Sequence, residues 1–69
     1  MKEVHTLLIE GKGGTEKYLF DLINDYDFKV IEHNNTHVYE IDFFIDQKNL
    51  ETLKSSLQDS KYNAVEIPQ

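Results

Sequence analysis

The chain has 69 residues, with 13 acidic residues, 7 lysines, no arginine, no cysteine and a formal net charge of −6. A domain of this size buries only about 60% of the surface that its unfolded chain exposes, and without cysteine it has no disulfide or thiolate-bound metal to stabilise it. The acidic balance and the lack of arginine argue against nucleic acid, whose phosphates and guanine edges are read mainly by basic side chains. No apolar run approaches the roughly 20 residues of a membrane span. We expect one cytoplasmic domain over residues 1–69, with neither nucleic acid nor a membrane as a partner.

A strand and a helix are predicted first, joined by a glycine-rich loop. Residues 3–10 carry apolar side chains on both faces, which is typical of a strand in the middle of a sheet. Gly11 to Thr15 break this pattern, and Thr15 is a candidate helix N-cap. The helix is indicated by apolar residues at helical spacing, namely Leu19, Leu22, Ile23 and Tyr26.

A hairpin is predicted next, because Asn34-Asn35 can form a two-residue turn between two apolar runs. A turn at these two residues sets the register of the hairpin. One face would pair Phe28 with Ile41, Val30 with Tyr39 and Glu32 with His37. The other face would pair Lys29 with Glu40, Ile31 with Val38 and His33 with Thr36.

The rest of the chain completes an alternating pattern of strands and helices. The third strand should place Tyr39, Ile41, Phe43 and Ile45 on its core side, and Asp46 should cap a helix from Gln47 to about Ser60. A last strand covers residues 63–67. The order βαββαβ predicts an α+β, ferredoxin-like fold, in which a four-stranded antiparallel sheet carries two helices on one face and the first and third strands are central.

One face of this sheet would have no helix over it. We expect it to be an interface, for a second copy of the chain or for another protein. The outward residues of the first strand are either the set with His5, Leu7 and Ile9 or the set with Val4, Thr6 and Leu8. The candidate interface residues are Leu7, Ile31, Val38, Glu40, Asp42 and Phe44. The alternative is that these side chains are scattered among charged ones and remain solvated.

Catalytic and metal-binding patterns are weak in this sequence. The serines Ser55, Ser56 and Ser60 lie on or beside the second predicted helix, away from any histidine, so no nucleophile and base come together. The three histidines, His5, His33 and His37, are not expected to share a site. We therefore predict a protein that is not an enzyme and that has no metal and no cofactor.

Several segments together resemble a known family. These are Gly13-Gly14 before a helix with Tyr18 and Leu19, the strand end Val30-Ile31-Glu32, and the run Tyr39–Asp46 ahead of a leucine-rich helix. The sequence is similar to an ACT domain, a small ferredoxin-like module that binds amino acids or other small effectors and regulates metabolic enzymes. The resemblance implies an effector site near the first loop, often at a dimer interface. By position, its residues would be Gly13, Gly14, Thr15, Glu32 and His33.

Two functional hypotheses follow. The first is a regulatory, small-molecule-sensing module that dimerises through its open sheet face and binds an effector such as an amino acid at the glycine loop. The second is a small acidic interaction or inhibitor protein, of the type carried by phages and mobile elements, that docks on a basic partner surface. Glu40 and Asp42 beside Phe44 motivate the second hypothesis.

Overall fold

The strands with apolar residues on both faces occupy the centre of a four-stranded antiparallel sheet. The computed structural model describes residues 1–11, 16–35 and 37–68. Its elements are β1 (Glu3–Glu10), α1 (Glu16–Ile23), β2 (Phe28–Asn35), β3 (Val38–Ile45), α2 (Gln47–Asp59) and β4 (Asn63–Ile67). The strand order is β2-β3-β1-β4. This arrangement confirms the predicted ferredoxin-like α+β fold with β1 and β3 in the middle.

A hydrophobic core lies between the sheet and the two helices. Strands β1 and β3 contribute alternate residues, and α2 contributes residues at i, i+3 and i+7, as their sequence periods predict. Aromatic rings extend the core toward β2, where Phe28 lies 6.2 Å from Phe43 and 6.1 Å from Phe20, measured between ring centroids. The buried core residues are Leu7, Ile9, Leu19, Ile23, Tyr39, Ile41, Phe43, Ile45, Leu50, Leu53, Leu57 and Tyr62.

Both ends of α2 have capping interactions. The Asn49 backbone N–H donates to Asp46 Oδ1 at 2.9 Å, so Asp46 is the N-cap that the sequence predicts. At the other end Lys61 has a φ of 73°. The Lys61 N–H donates to the Gln58 carbonyl and the Tyr62 N–H to the Leu57 carbonyl, at 3.1 and 2.9 Å. This is a Schellman motif, which reverses the chain toward β4 and places Tyr62 in the core.

The β2–β3 hairpin differs from its predicted register. Phe28 pairs with Phe43 and Val30 with Ile41, whereas Ile41 and Tyr39 were the expected partners. The predicted turn at Asn34-Asn35 is wrong, because β2 continues through Asn35 before β3 begins at Val38.

The ladder of β2 is also irregular between Val30 and Glu32 and again between His33 and Asn35. These irregularities add residues to β2 alone and so change which residues share a face. As a result, Glu32 lies opposite Glu40 and not His37, and His33 lies opposite Tyr39 and not Thr36.

The two faces of β1 differ in burial. Leu7 and Ile9 are fully buried against the helices, while Val4 and Leu8 are exposed on the other side of the sheet. The predicted outward position of Leu7 is therefore wrong: the odd-numbered residues of β1 face the core, because β1 pairs with β3 so that Leu7 lies beside Ile41. The outward set is Val4, Thr6 and Leu8.

The helices in the described part of the chain are short. None of them has the length and apolar character needed to cross a bilayer.

Candidate functional site

The open face is the side of the sheet away from the helices. Its composition follows from the strand registers, which align its side chains in rows across β2, β3, β1 and β4. One row is Glu32, Glu40, Leu8 and Val65. The next row is Lys29, Asp42, Thr6 and Ile67. Beyond it, Phe44 and Val4 are cross-strand neighbours.

The open face has an apolar part, centred on β1 and β4 and reaching β3 at one end. Val4, Leu8, Phe44 and Val65 are each between 38% and 53% exposed. They form two cross-strand pairs, Val4 with Phe44 and Leu8 with Val65, which Thr6 separates along β1. Exposed apolar side chains grouped on one face of a small domain mark an association surface more often than scattered ones do. The candidate interface residue Phe44 lies in this part. Val38 is half-buried at the far end of β3, and Ile31 is exposed at the first irregularity of edge strand β2.

The other part of the open face is acidic and lies mainly on β2 and β3. Within the strands, this face carries four carboxylates and one lysine, so it holds half of the formal net charge of −6. Glu32 and Glu40 lie directly opposite each other, a placement in which like charges destabilise a sheet. A basic surface brought against them would relieve this repulsion. The charged residues are Glu10, Lys29, Glu32, Glu40 and Asp42.

Asp42 has a fixed orientation at the border between the two parts. The Thr6 hydroxyl donates a hydrogen bond to Asp42 Oδ1 at 2.6 Å. Thr6 is only 6% exposed, so its side chain is held in place by its neighbours. A carboxylate has about four acceptor positions in total. Asp42 therefore keeps acceptor capacity toward solvent while its rotamer is set by a buried donor.

A cavity of about 220 Å³ opens beside this carboxylate. Phe44 and Val4 contribute apolar surface to its wall. The Phe44 backbone N–H donates to the Asp27 carbonyl at 3.0 Å, and this hydrogen bond holds Asp27, the residue before β2, at the edge of the cavity. The volume is below the range of about 300–1,000 Å³ that is usual for small-molecule sites. The cavity is of a size to receive a side chain. It is lined by Val4, Asp27, Phe28, Lys29, Asp42, Phe43 and Phe44.

The residues of the predicted effector site are only partly described. Gly13, Gly14 and Thr15 lie outside the described residues. Glu32 and His33 point to opposite sides of the sheet, because Glu32 faces Glu40 on the open face and His33 stacks on the core residue Tyr39, with 4.0 Å between ring centroids and 13° between planes. One effector touching both side chains would have to reach around edge strand β2.

A second cavity, of about 260 Å³, lies between α2 and β4. Near it, His5 Nδ1 is 2.8 Å from Glu66 Oε2, and Lys54 Nζ is 3.6 Å from Glu66 Oε1. The hydrogen bond with His5 is the main cause that lowers the pKa of the Glu66 carboxyl; partial burial opposes it, and the charges of His5 and Lys54 lower it further. This cluster ties edge strand β4 to β1 and α2. Its cavity is lined by Glu51, Lys54, Ser55, Gln58, Tyr62, Asn63 and Ala64.

The histidines occupy three separate places. His5 contacts Glu66, His33 stacks on Tyr39, and the carbonyl of His37 accepts from the Gly11 N–H at 2.9 Å. Among the described residues, no group of three or more His, Cys, Asp or Glu side chains is placed to hold a metal ion.

Several residues of the open face were not among the predicted interface residues. Val4, Thr6 and Leu8 were one of two open alternatives for β1, and Val65 was predicted only as a strand residue. The alternation of side chains along β1 indicated two possible outward sets. The pairing of Leu7 with Ile41 in the sheet decides which set faces outward.

Comparisons with known proteins give no relative from which a function could be transferred. No protein-family model, no curated protein sequence and no solved structure matches the chain.

Proposed function

We propose that the protein is a non-enzymatic protein-binding module that docks its open face on a partner with an apolar centre and a basic margin. The observation that carries the proposal is the division of this face into an apolar part around Leu8 and Phe44 and an acidic part around Glu32, Glu40 and Asp42. Apolar contact would supply most of the affinity. The carboxylates would select basic partners and speed their association.

The charges favour a different protein over a second copy of the chain. Two open faces brought together would confront four carboxylates with four carboxylates, and Lys29 is the single cation that the strands place on this face. Repulsion of this kind weakens association, most strongly at low ionic strength. A partner that carries Lys or Arg around an apolar patch would instead relieve the repulsion between Glu32 and Glu40.

The experiment is a binding measurement with an identified partner. The tagged protein captures partners from the cells that encode it, and each captured protein is then purified and titrated alone. The test variant is the double charge reversal Glu32→Lys with Glu40→Lys. The proposal predicts at least tenfold weaker binding for this variant at low salt, and a wild-type affinity that falls as salt is added.

A matched control separates location from net charge. Asp25→Lys with Asp59→Lys changes the charge by the same amount at two exposed residues outside the open face. This control should bind within about twofold of wild type by the same electrostatic reasoning. Equal losses in both double variants, or no loss in either, would contradict docking through the open face.

A second candidate is the ACT-like function, in which a dimer senses a small effector. One observation favours it: the Gly11–His37 hydrogen bond places the start of the glycine loop at the same end of the sheet as the His33–Tyr39 ring stack.

An effector at 100 times its dissociation constant should stabilise the fold by about 2.7 kcal/mol. Thermal unfolding with each amino acid and nucleotide measures this effect, and sedimentation tests the dimer. Absence of both a thermal shift and a dimer would reject this candidate.

A further inference from the structure

We propose that the cavity beside Phe44 is the anchor pocket of the open face and that it receives an arginine side chain of the partner. This inference rests on the proposed docking function and specifies which partner residue would be bound most tightly. The cavity combines an exposed aromatic ring, an adjacent aliphatic residue and an oriented carboxylate within about 220 Å³.

The walls of the cavity match the two halves of an arginine side chain. Val4 and Phe44, which are cross-strand neighbours about half exposed, provide a surface for its methylene groups. Asp42 provides the negative charge, and Asp27 lines the same cavity. The described ion pairs do not include one between Lys29 and Asp42, although these two residues are cross-strand partners. The Asp42 carboxylate is therefore open to a cation from outside.

Arginine fits this pocket better than lysine. Its planar guanidinium stacks on aromatic faces and can form two parallel hydrogen bonds with one carboxylate, while an ammonium is a strongly hydrated point charge. The Thr6 hydroxyl occupies one acceptor position of Asp42 and sets its rotamer, so little ordering is left to occur on binding. Buried arginine and aromatic residues are also the side chains that most often dominate interface energetics.

The test is an NMR titration of the ¹⁵N-labelled full chain with two short peptides, Ac-Leu-Arg-Leu-NH₂ and its citrulline counterpart. Citrulline has nearly the same shape as arginine but carries no charge. We expect the arginine peptide to shift the backbone amides of Val4, Lys29 and Phe44, and to bind at least fivefold more tightly than the citrulline peptide. Asp42→Asn, whose side-chain oxygen can still accept from Thr6, should remove that preference. Glu51→Gln, which makes the same charge change on α2, should keep it.

Three results would overturn the proposal: no shift at the cavity at 10 mM peptide, equal affinity for both peptides, or equal behaviour of Asp42→Asn and Glu51→Gln. Failure here is distinguishable from failure of the docking function. If a natural partner no longer binds the variant with Glu32→Lys and Glu40→Lys but binds Asp42→Asn normally, the docking face is supported and the arginine pocket is contradicted. If the affinity for the partner is unchanged by all of these substitutions, both the docking face and the arginine pocket are contradicted.

Discussion

Glu32 of β2 and Glu40 of β3 lie directly opposite each other, so two negative charges are cross-strand neighbours. Opposite charges in such a pair stabilise a sheet and like charges destabilise it. We predict that Glu32→Lys raises the free energy of unfolding by about 0.5 kcal/mol, within the range of about 0.2–1 kcal/mol for cross-strand pairs. Urea unfolding monitored by circular dichroism measures this gain.

The control for this prediction is Glu3→Lys, which makes the same change of net charge at the exposed start of β1. The gain of Glu32→Lys should exceed that of the control and should shrink in 1 M salt, where screening acts within about 3 Å. An unchanged gain in high salt would show that charge pairing is not its cause. If the Glu32→Lys protein is more stable but binds a partner less well, its weaker binding cannot be caused by unfolding.

Leu7 and Leu8 provide a matched pair, because they are adjacent in sequence and lie on opposite faces of β1. Leu7 is 0% exposed and Leu8 is 38% exposed. Leu7→Ala should cost about 2–5 kcal/mol of stability, since it leaves a cavity in the core. Leu8→Ala should cost about 1 kcal/mol, because this side chain is partly exposed already and its truncation leaves no enclosed cavity. Chemical denaturation distinguishes the two, and similar losses would contradict the assignment of faces.

The Glu66 cluster predicts a pH dependence of stability. The pKa of Glu66 is lowered from 4.5 in the folded chain, first by the hydrogen bond with His5, so the ionised carboxylate stabilises the fold. This contribution is complete above pH 4.5 and is lost as the pH falls through the lowered pKa. Glu66→Gln should therefore be less stable than wild type at about pH 7, and the two proteins should converge at acidic pH. A constant difference at every pH would show that Glu66 acts without its charge.

Lys61 adopts a left-handed backbone conformation that glycine adopts without steric cost. The Schellman motif at the end of α2 requires this conformation, which costs a residue with a Cβ atom about 1–2 kcal/mol. Lys61→Gly should stabilise the chain by about 1 kcal/mol once the greater entropy of unfolded glycine is subtracted. Thermal unfolding tests this against Lys61→Ala, which keeps the Cβ atom and should give no comparable gain.

Much of the fold could be predicted from local patterns. The core side of β3 and the buried stripe Leu50, Leu53 and Leu57 follow from periods of two and 3.6 residues, and Asp46 was recognisable as a cap. The register of the hairpin could not be predicted in the same way. The apparent turn at Asn34-Asn35 gave a consistent set of pairs, but the structure instead pairs Phe28 with Phe43, which joins the aromatic contacts of the core.

The candidate site was less accessible to sequence reasoning, because its contacts join distant parts of the chain. Asp42 was a candidate from its position beside Phe44, but its hydrogen bond with Thr6 spans 36 residues and depends on the pairing of β1 with β3. The His5–Glu66 contact spans 61 residues. An open face could be expected from the number and order of elements, whereas the division of that face into apolar and acidic parts needed the true register.

The irregular ladder of β2 affects whether the chain can aggregate by adding strands at this edge of the sheet. An edge strand with a regular ladder offers unpaired backbone groups to any other strand, and an apolar face beside it would favour sheet-to-sheet growth and aggregation. The register shifts after Val30 and after His33 bend and twist this edge, and β4 at the other edge has only five residues. Both borders of the sheet therefore discourage strand addition, so the exposed apolar side chains can stay available for face-on contacts without leading the chain into fibres.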